Sequence, residues 1–268
     1  LLAMTAIVLP VLPDRTVDPW GTLNPHAIWL ATILIGAVSY AGYVAVKVIG
    51  RSKGTLAAGA PGGPAPPTAV TLTNARRAAE FPEATRFLAA GTAVAGAVSI
   101  LRALAIALLL RPSFAGTLAV PLAATAAGFL VAAALAARDG VKDGEGAEMP
   151  LENPFEPMTA IRFGLFLAAV LAASKILADN AGAAGYLAFA AASGLADVDA
   201  VVVSAGRLAG TGIAEDIAGL AILTAVGANI VAKAVYAVAV GGWVHGRIVV
   251  SASAMALAAG YAGAVFGG

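Results

Sequence analysis

The sequence predicts an all-α integral membrane protein built from two repeats, each with three spanning helices and one broken, re-entrant helical element. Three observations carry that prediction. The 268 residues are 60% hydrophobic and only 12% charged, about half the charge of a soluble domain. The apolar stretches are long and separated by short polar turns. Finally, the chain matches itself at an offset of 131 positions.

That offset lays 54–78 on 185–209 without a gap. Gly54, Leu56, Gly63, Val70 and Arg76 meet Gly185, Leu187, Gly194, Val201 and Arg207, and Thr73 meets Ser204. Further on, Gly96-Ala97 meets Gly227-Ala228 and Arg102 meets Lys233. Alanine matches are cheap in so alanine-rich a chain, but paired glycines and paired basic residues are not.

Residues 1–25 read as the end of a preceding helix followed by a turn. Leu1–Leu12 is apolar but too short to span, since a crossing helix needs about 20 residues. Asn24-Pro25 then supplies a helix cap with proline at the first helical position. The first membrane repeat occupies 26–137. Its spans are expected at 26–49, 87–110 and 115–137, with a broken element at 54–79. Gly59, Pro61, Gly62, Gly63, Pro64, Pro66 and Pro67 cannot share one continuous helix, so Gly62 and Gly63 mark a break.

Residues 138–157 are polar, acidic and rich in glycine and proline, which reads as an exposed linker. The second membrane repeat, 158–268, follows the same plan. Spans are expected at 158–178, 215–240 and 247–266, with a broken element at 183–210 centred on Ser193-Gly194. His245, beside Trp243 and Arg247, is expected in a loop at the membrane surface.

The basic residues bear on whether the broken elements cross. Setting aside mid-span Arg102 and Lys233 leaves 14 of the 16. Re-entrant elements place Lys47, Arg51, Lys53, Arg76, Arg77, Arg86, Arg138, Lys142, Arg162 and Arg247 on one face. Arg15, Arg111, Lys175 and Arg207 fall on the other, a split of 10 to 4. Crossing elements divide the same residues 8 to 6. The positive-inside rule favours re-entry, which makes the two halves inverted.

Irregular backbone at membrane depth survives only inside protein or beside a water-filled cavity, and two such tips in register resemble the substrate sites of secondary transporters. The candidate ion-binding residues are Asp197, Asp199, Ser193, Thr68 and Asn229, with Asp197 and Asp199 as metal ligands. Oxygen ligands suit hard cations such as Mg2+. Either aspartate could instead cap the following helix, the assignment of Asp199 as cap and Asp197 as ligand being one option; Thr68 is likewise cap or ligand. Lys233 and Arg102 are the candidate charge-pairing or coupling residues, because an intramembrane cation needs a partner. Asp197 or Asp199 is the expected partner of Lys233.

The function expected is a secondary-type carrier of a small ion, foremost a divalent metal cation such as Mg2+ bound as substrate. The alternatives are a regulatory or scaffolding membrane subunit and an anion carrier. Nothing in the chain resembles an enzyme site, a nucleotide loop or a resident cofactor. The absence of cysteine excludes thiolate metal sites, and two histidines, His26 and His245, are too few for a metal cluster. A net charge of +1 argues against nucleic acid as a partner. The expected partners are the lipid bilayer and the ion, with a homo-oligomer left open.

Asn24-Pro-His-Ala-Ile-Trp29, Gly42-Tyr43, Gly62-Gly63 with Thr68, Asn153-Pro-Phe-Glu156 and Ser193-Gly-Leu-Ala-Asp-Val-Asp-Ala200 resemble an uncharacterised bacterial and archaeal membrane family. That family often forms the C-terminal half of MgtC/SapB-type proteins, a group associated with magnesium limitation. The first repeat departs from the family's pattern, carrying Pro64-Ala65-Pro66-Pro67 before the threonine where serines are usual. The resemblance implies an integral protein of the cytoplasmic membrane and leaves its substrate open.

Overall fold

The computed structural model describes residues 4–19, 21–50, 67–138 and 157–267. Nearly all of them are helical, and no strand forms among the described residues. The helices are α1 (Pro25–Gly50), α2 (Pro67–Glu80), α3 (Thr85–Leu110), α4 (Ala115–Arg138), α5 (Pro157–Ala196), α6 (Val198–Leu208) and α7 (Glu215–Phe266). Both long helices are interrupted by a glycine in a left-handed conformation, α5 at Gly182 (φ 60°) and α7 at Gly242 (φ 72°). Only glycine adopts that backbone without strain. The interruptions leave helical segments 157–181, 183–196, 215–241 and 243–266, close to the spans expected from sequence.

Four stretches among the described residues are long and apolar enough to cross a membrane: Pro82–Leu110, Pro112–Arg138, Ile161–Ala196 and Glu215–Phe266. Pro25–Tyr40 is a shorter apolar helix. This composition is that of an integral membrane protein. The break expected at Gly62-Gly63 and the linker 139–156 lie outside the described residues.

The chain divides into two compact units. The first comprises Leu1–Ser39, Ala105–Ala115 and Asn153–Asn229; the second comprises Tyr40–Leu104, Gly116–Glu152 and Ile230–Gly268.

In the first unit, α1 starts as its sequence dictates. The Asn24 side chain accepts from the Ala27 N–H at 3.0 Å, ahead of Pro25. Gly164 of α5 lets the Trp29 and Thr32 side chains of α1 approach to ordinary contact. A core of Tyr186, Ala190, Val201, Leu208, Ala221 and Ala225 joins the 183–196 segment, α6 and the start of α7. Every residue of α6 is buried except Arg207. A helix buried on nearly every side is one enclosed by protein, and that enclosure is what lets so short a helix exist apart from a longer span.

The second unit is held by close helix contacts of the small-residue kind. A Cβ on Gly128 of α4 would stand 2.8 Å from the Ala256 Cα of α7, so the backbones touch there. Asn74 of α2, fully buried, donates to the Thr92 hydroxyl of α3 at 3.2 Å. His245 departs from expectation. It lies in the first turn after Gly242 and is fully buried, whereas neighbouring Trp243 is 71% exposed. The cause is a pair of small residues: Gly241 leaves room for the imidazole ring, and Gly246 packs against Val238.

Candidate functional site

The interruption between α5 and α6 is a single residue. Asp197 adopts an extended conformation (φ −155°, ψ 133°) and caps α6 with its own side chain. Its Oδ1 accepts from the Asp199 N–H at 2.7 Å and from the Ala200 N–H at 3.4 Å. The capping role thus belongs to Asp197. Asp199 is therefore not the cap, because only the residue just outside the helix can turn its side chain onto the first free N–H groups.

Asp199 sits instead inside the first turn of α6, 2% exposed. The N-terminal end of a helix favours a carboxylate there, because free N–H groups and the helix dipole both face it.

The preceding helix end is tied down by two bonds. The Asp197 N–H donates to the Ser193 carbonyl at 2.9 Å, closing the last turn. The next carbonyl, of Gly194, accepts from the Asn229 side-chain amide of α7 at 2.8 Å, within the buried interior. A C-terminal helical carbonyl without a partner would cost free energy in an apolar setting. Asn229 therefore acts as a positioning residue for the break, and Gly194 makes its approach feasible. A Cβ on Gly194 would meet the Ala225 backbone at 2.5 Å.

The break thus gathers Ser193, Gly194, Asp197, Asp199 and Asn229 in the first unit. Among the described residues no three of histidine, aspartate and glutamate gather where one metal ion could take all of them. A cation bound beside Asp199 would draw its remaining ligands from carbonyls, hydroxyls and water, a donor set that hard cations accept.

The remaining candidates lie in the second unit. Thr68 is partly buried within the first turn of α2, inside the helix rather than at its cap. Lys233 of α7 is buried and donates to the Ser99 hydroxyl of α3 at 3.5 Å. Arg102 follows Ser99 on α3 by about one turn and is partly buried. Gly62 and Gly63 fall outside the described residues.

Sequence reasoning missed two buried polar features. Tyr186 and Ser204 place their hydroxyls near one another between the 183–196 segment and α6, both fully buried. Asn74, with its link to Thr92, is the second. The signal available for Tyr186 and Ser204 was a lone polar residue amid apolar neighbours; Asn74, between Thr73 and Arg76, carried none.

At the ends of these elements the first unit is polar. Lys175 pairs with Asp179 at 2.6 Å, and Arg111 reaches Glu215 at 3.8 Å, where Ser113 also donates. Gly210, just past α6, lies against the Arg111 guanidinium. Arg207 is half-buried, and desolvation pushes its pKa below the ordinary arginine value.

The model of a family described as "Domain of unknown function (DUF4010)" matches residues 33–241. The chain belongs to this family. The match spans α1 from its ninth residue to the end of the 215–241 segment, so the break and both of its polar ties lie inside the DUF4010 region. An uncharacterized protein of Aquifex aeolicus (strain VF5) is 35% identical over 98 residues, which is 36% of this chain and 43% of that protein. The chain therefore matches less than half the length of that relative. No solved structure matches.

Proposed function

We propose that this DUF4010 protein is a secondary-type carrier of a small inorganic cation, with a divalent metal such as Mg2+ as the first candidate substrate and Asp199 as its principal carboxylate ligand. The observation that carries the reading is the buried carboxylate in the first turn of α6, directly after a helix break whose free carbonyl is held by Asn229. Broken helices with ionisable residues at depth are how carriers bind ions at the midplane. The resemblance to the C-terminal half of MgtC/SapB-type proteins is a second reason to begin with Mg2+.

On this reading the 183–196 segment and α6 form a re-entrant pair. The proximity of Tyr186 to Ser204 supports it. Along one straight rod these residues, 18 positions apart, would stand about 27 Å from each other. Lys175 and Arg207 line one cavity, and Arg111 lies beside Gly210, so three of the four basic residues assigned to one face share one end of the unit.

The inverted repeat is part of the same proposal. Shifted by 131, α1, α2, α3 and α4 become 156–181, 198–211, 216–241 and 246–269. The observed counterparts are 157–181, Val198–Leu208, 215–241 and 243–266. The membrane would be the cytoplasmic membrane of a bacterium or archaeon.

The test is flux into liposomes containing the purified full chain and an internal Mg2+ indicator. The wild-type protein should admit Mg2+, with Na+ and sulfate as parallel arms, and Asp199→Asn should abolish entry while remaining folded. Equal flux in both proteins, or none in the wild type for any cation, overturns the proposal. The latter outcome points to a regulatory subunit, and flux of sulfate alone to an anion carrier.

A further inference from the structure

The first unit holds a polar cavity to which the carrier reading assigns no ligand. Its volume is about 430 Å³, and it is bounded by the 16–27 turn, by Leu171 and Lys175 of α5, and by Arg207, Thr211 and Gly212 at the end of α6. The groups around it differ in one respect. Among the described residues the carboxylates and most hydroxyls near it already have partners, and the Arg207 guanidinium has none.

Asp179 takes Lys175 at 2.6 Å. Asp18 accepts the Leu23 N–H at 2.6 Å, the Thr22 N–H at 2.9 Å and the Thr22 hydroxyl at 2.8 Å. Asp14 accepts the Asn24 amide at 2.8 Å and lies 3.9 Å from His26. The Thr211 hydroxyl donates to the Arg207 and Leu208 carbonyls, each at 3.2 Å. Among the described residues no carboxylate stands within ion-pair distance of Arg207. A guanidinium carries five N–H donors and no acceptor, so a half-buried one in a polar cavity calls for an anionic acceptor.

We propose that this cavity binds a phosphate group, with Arg207 as the forked donor and the Lys175 ammonium and Thr16 hydroxyl as secondary donors. Arginine matches the geometry of tetrahedral oxyanions by bidentate hydrogen bonding, which lysine lacks. The cavity is large enough for a phosphate with its substituent, and Thr16 lies on its wall. The same chemistry is offered by free inorganic phosphate and by an anionic lipid headgroup, since the cavity sits at the polar end of apolar helices.

The full chain is purified in detergent and titrated with inorganic phosphate by calorimetry. In parallel it is placed in nanodiscs of phosphatidylcholine alone or with phosphatidic acid, and bound lipid is counted by native mass spectrometry. Saturable binding of phosphate, weakened at least tenfold by Arg207→Gln and less by Arg207→Lys, assigns the soluble source. Selective retention of phosphatidic acid, lost in Arg207→Gln, assigns the headgroup. Arg111→Gln, whose arginine already pairs with Glu215, should leave either binding unchanged.

Ala27→Leu, which narrows the cavity from α1 and leaves Arg207 in place, should weaken binding too. It keeps the proposal testable should Arg207→Gln fail to fold. Absence of both phosphate and phosphatidic acid binding, or equal binding by the wild type and a folded Arg207→Gln or Ala27→Leu variant, overturns the proposal.

Discussion

The helix interruptions at Gly182 and Gly242 are unlike the one at Asp197. At both glycines the backbone turns through a left-handed residue that is exposed, with open space where a side chain would be. Peptide groups released there can reach water or lipid headgroups, so no further device is needed. At Asp197 the chain breaks through an extended residue that leads into the buried α6, and side chains satisfy groups released on both sides of the break. Asp197 supplies the new helix with an acceptor, and Asn229 supplies the old helix with a donor. A break that needs two side chains to hold it is costly to keep, and it places Asp199 in the interior. That contrast is the reason for seeking function at Asp197–Asp199 rather than at the glycines.

The sharpest way to break the comparison is to ask which face of the membrane each end of the interrupted element occupies. Asp179 and Glu215 are exposed and flank the element, and the chain has no cysteine of its own. Single cysteines at these positions should react with the same membrane-impermeant reagent from the same side of sealed vesicles. Labelling from opposite sides would make the Asp197 break an irregularity within a crossing, and the re-entrant reading would fail.

Next in size is the effect of filling the contact at the break. Gly194→Ala would press a methyl group into the Ala225 backbone, 2.5 Å from its carbonyl oxygen and 2.6 Å from its Cα. Backbone cannot rotate away as a side chain does, so a loss of about 1–3 kcal/mol is expected. Gly227→Ala, two residues beyond Ala225 on the same helix, meets nothing within 4 Å and should be neutral or gain up to about 1 kcal/mol in helix propensity. Thermal unfolding in one detergent would compare them. Gly260 is a poorer control because a methyl there would collide with the Thr125 hydroxyl.

The spans were legible because each is a long apolar run bounded by proline, glycine or charge. Arg111-Pro112 ends α3 since the residue before proline is pushed toward extended geometry, and Arg111 adopts φ −150°. The neighbourhood of the second break was legible as well, from Ser193-Gly194 and two nearby aspartates, although Gly194 itself stays helical and the chain breaks three residues later at Asp197. The roles of those aspartates were not. Two carboxylates two residues apart both suit a helix start, and a shift of one or two residues in the boundary exchanges cap and buried position.

The partner of Asn229 and the surroundings of Arg207 were beyond reach for a different reason. Asn229 meets Gly194 across 35 positions and Arg207 shares a cavity with Lys175, contacts that tertiary packing creates and no local pattern records. His245 was misplaced because a polar residue between Trp243 and Arg247 reads as surface. The glycines that admit its ring to the interior act through shape, which a hydropathy pattern does not carry.

A smaller effect separates the two aspartates. Asp197→Ala removes the cap and should cost about 0.5–2 kcal/mol, whereas Asp197→Asn retains an acceptor oxygen and should cost little. Circular dichroism and thermal unfolding would check this pair. A large loss in Asp197→Asn would mean that charge, not capping, is what Asp197 provides, and the division of labour with Asp199 would need revision.

The smallest effect comes from the other aspartate that organises a turn. Asp18 holds the 18–23 turn as Asp197 holds α6, by accepting backbone N–H groups, but it stands in the aqueous turn ahead of α1. Partial desolvation raises its pKa. The donations from Leu23 and Thr22 outweigh that, so the folded value lies below the ordinary 3.8. A carboxyl whose folded pKa is depressed stabilises in its charged form. The contribution is therefore present in full above about pH 4 and is lost as the pH falls through the folded value. Protection of the Thr22 and Leu23 amides against exchange, taken relative to the intrinsic rate at each pH across the acidic range, should fall as Asp18 protonates. Asp18→Asn keeps an acceptor and removes the titration, so its protection should be weaker at neutral pH and flat on acidification. A wild-type profile as flat as the variant's would mean that the turn is held by its backbone alone, and the parallel with the Asp197 cap would not extend to charge.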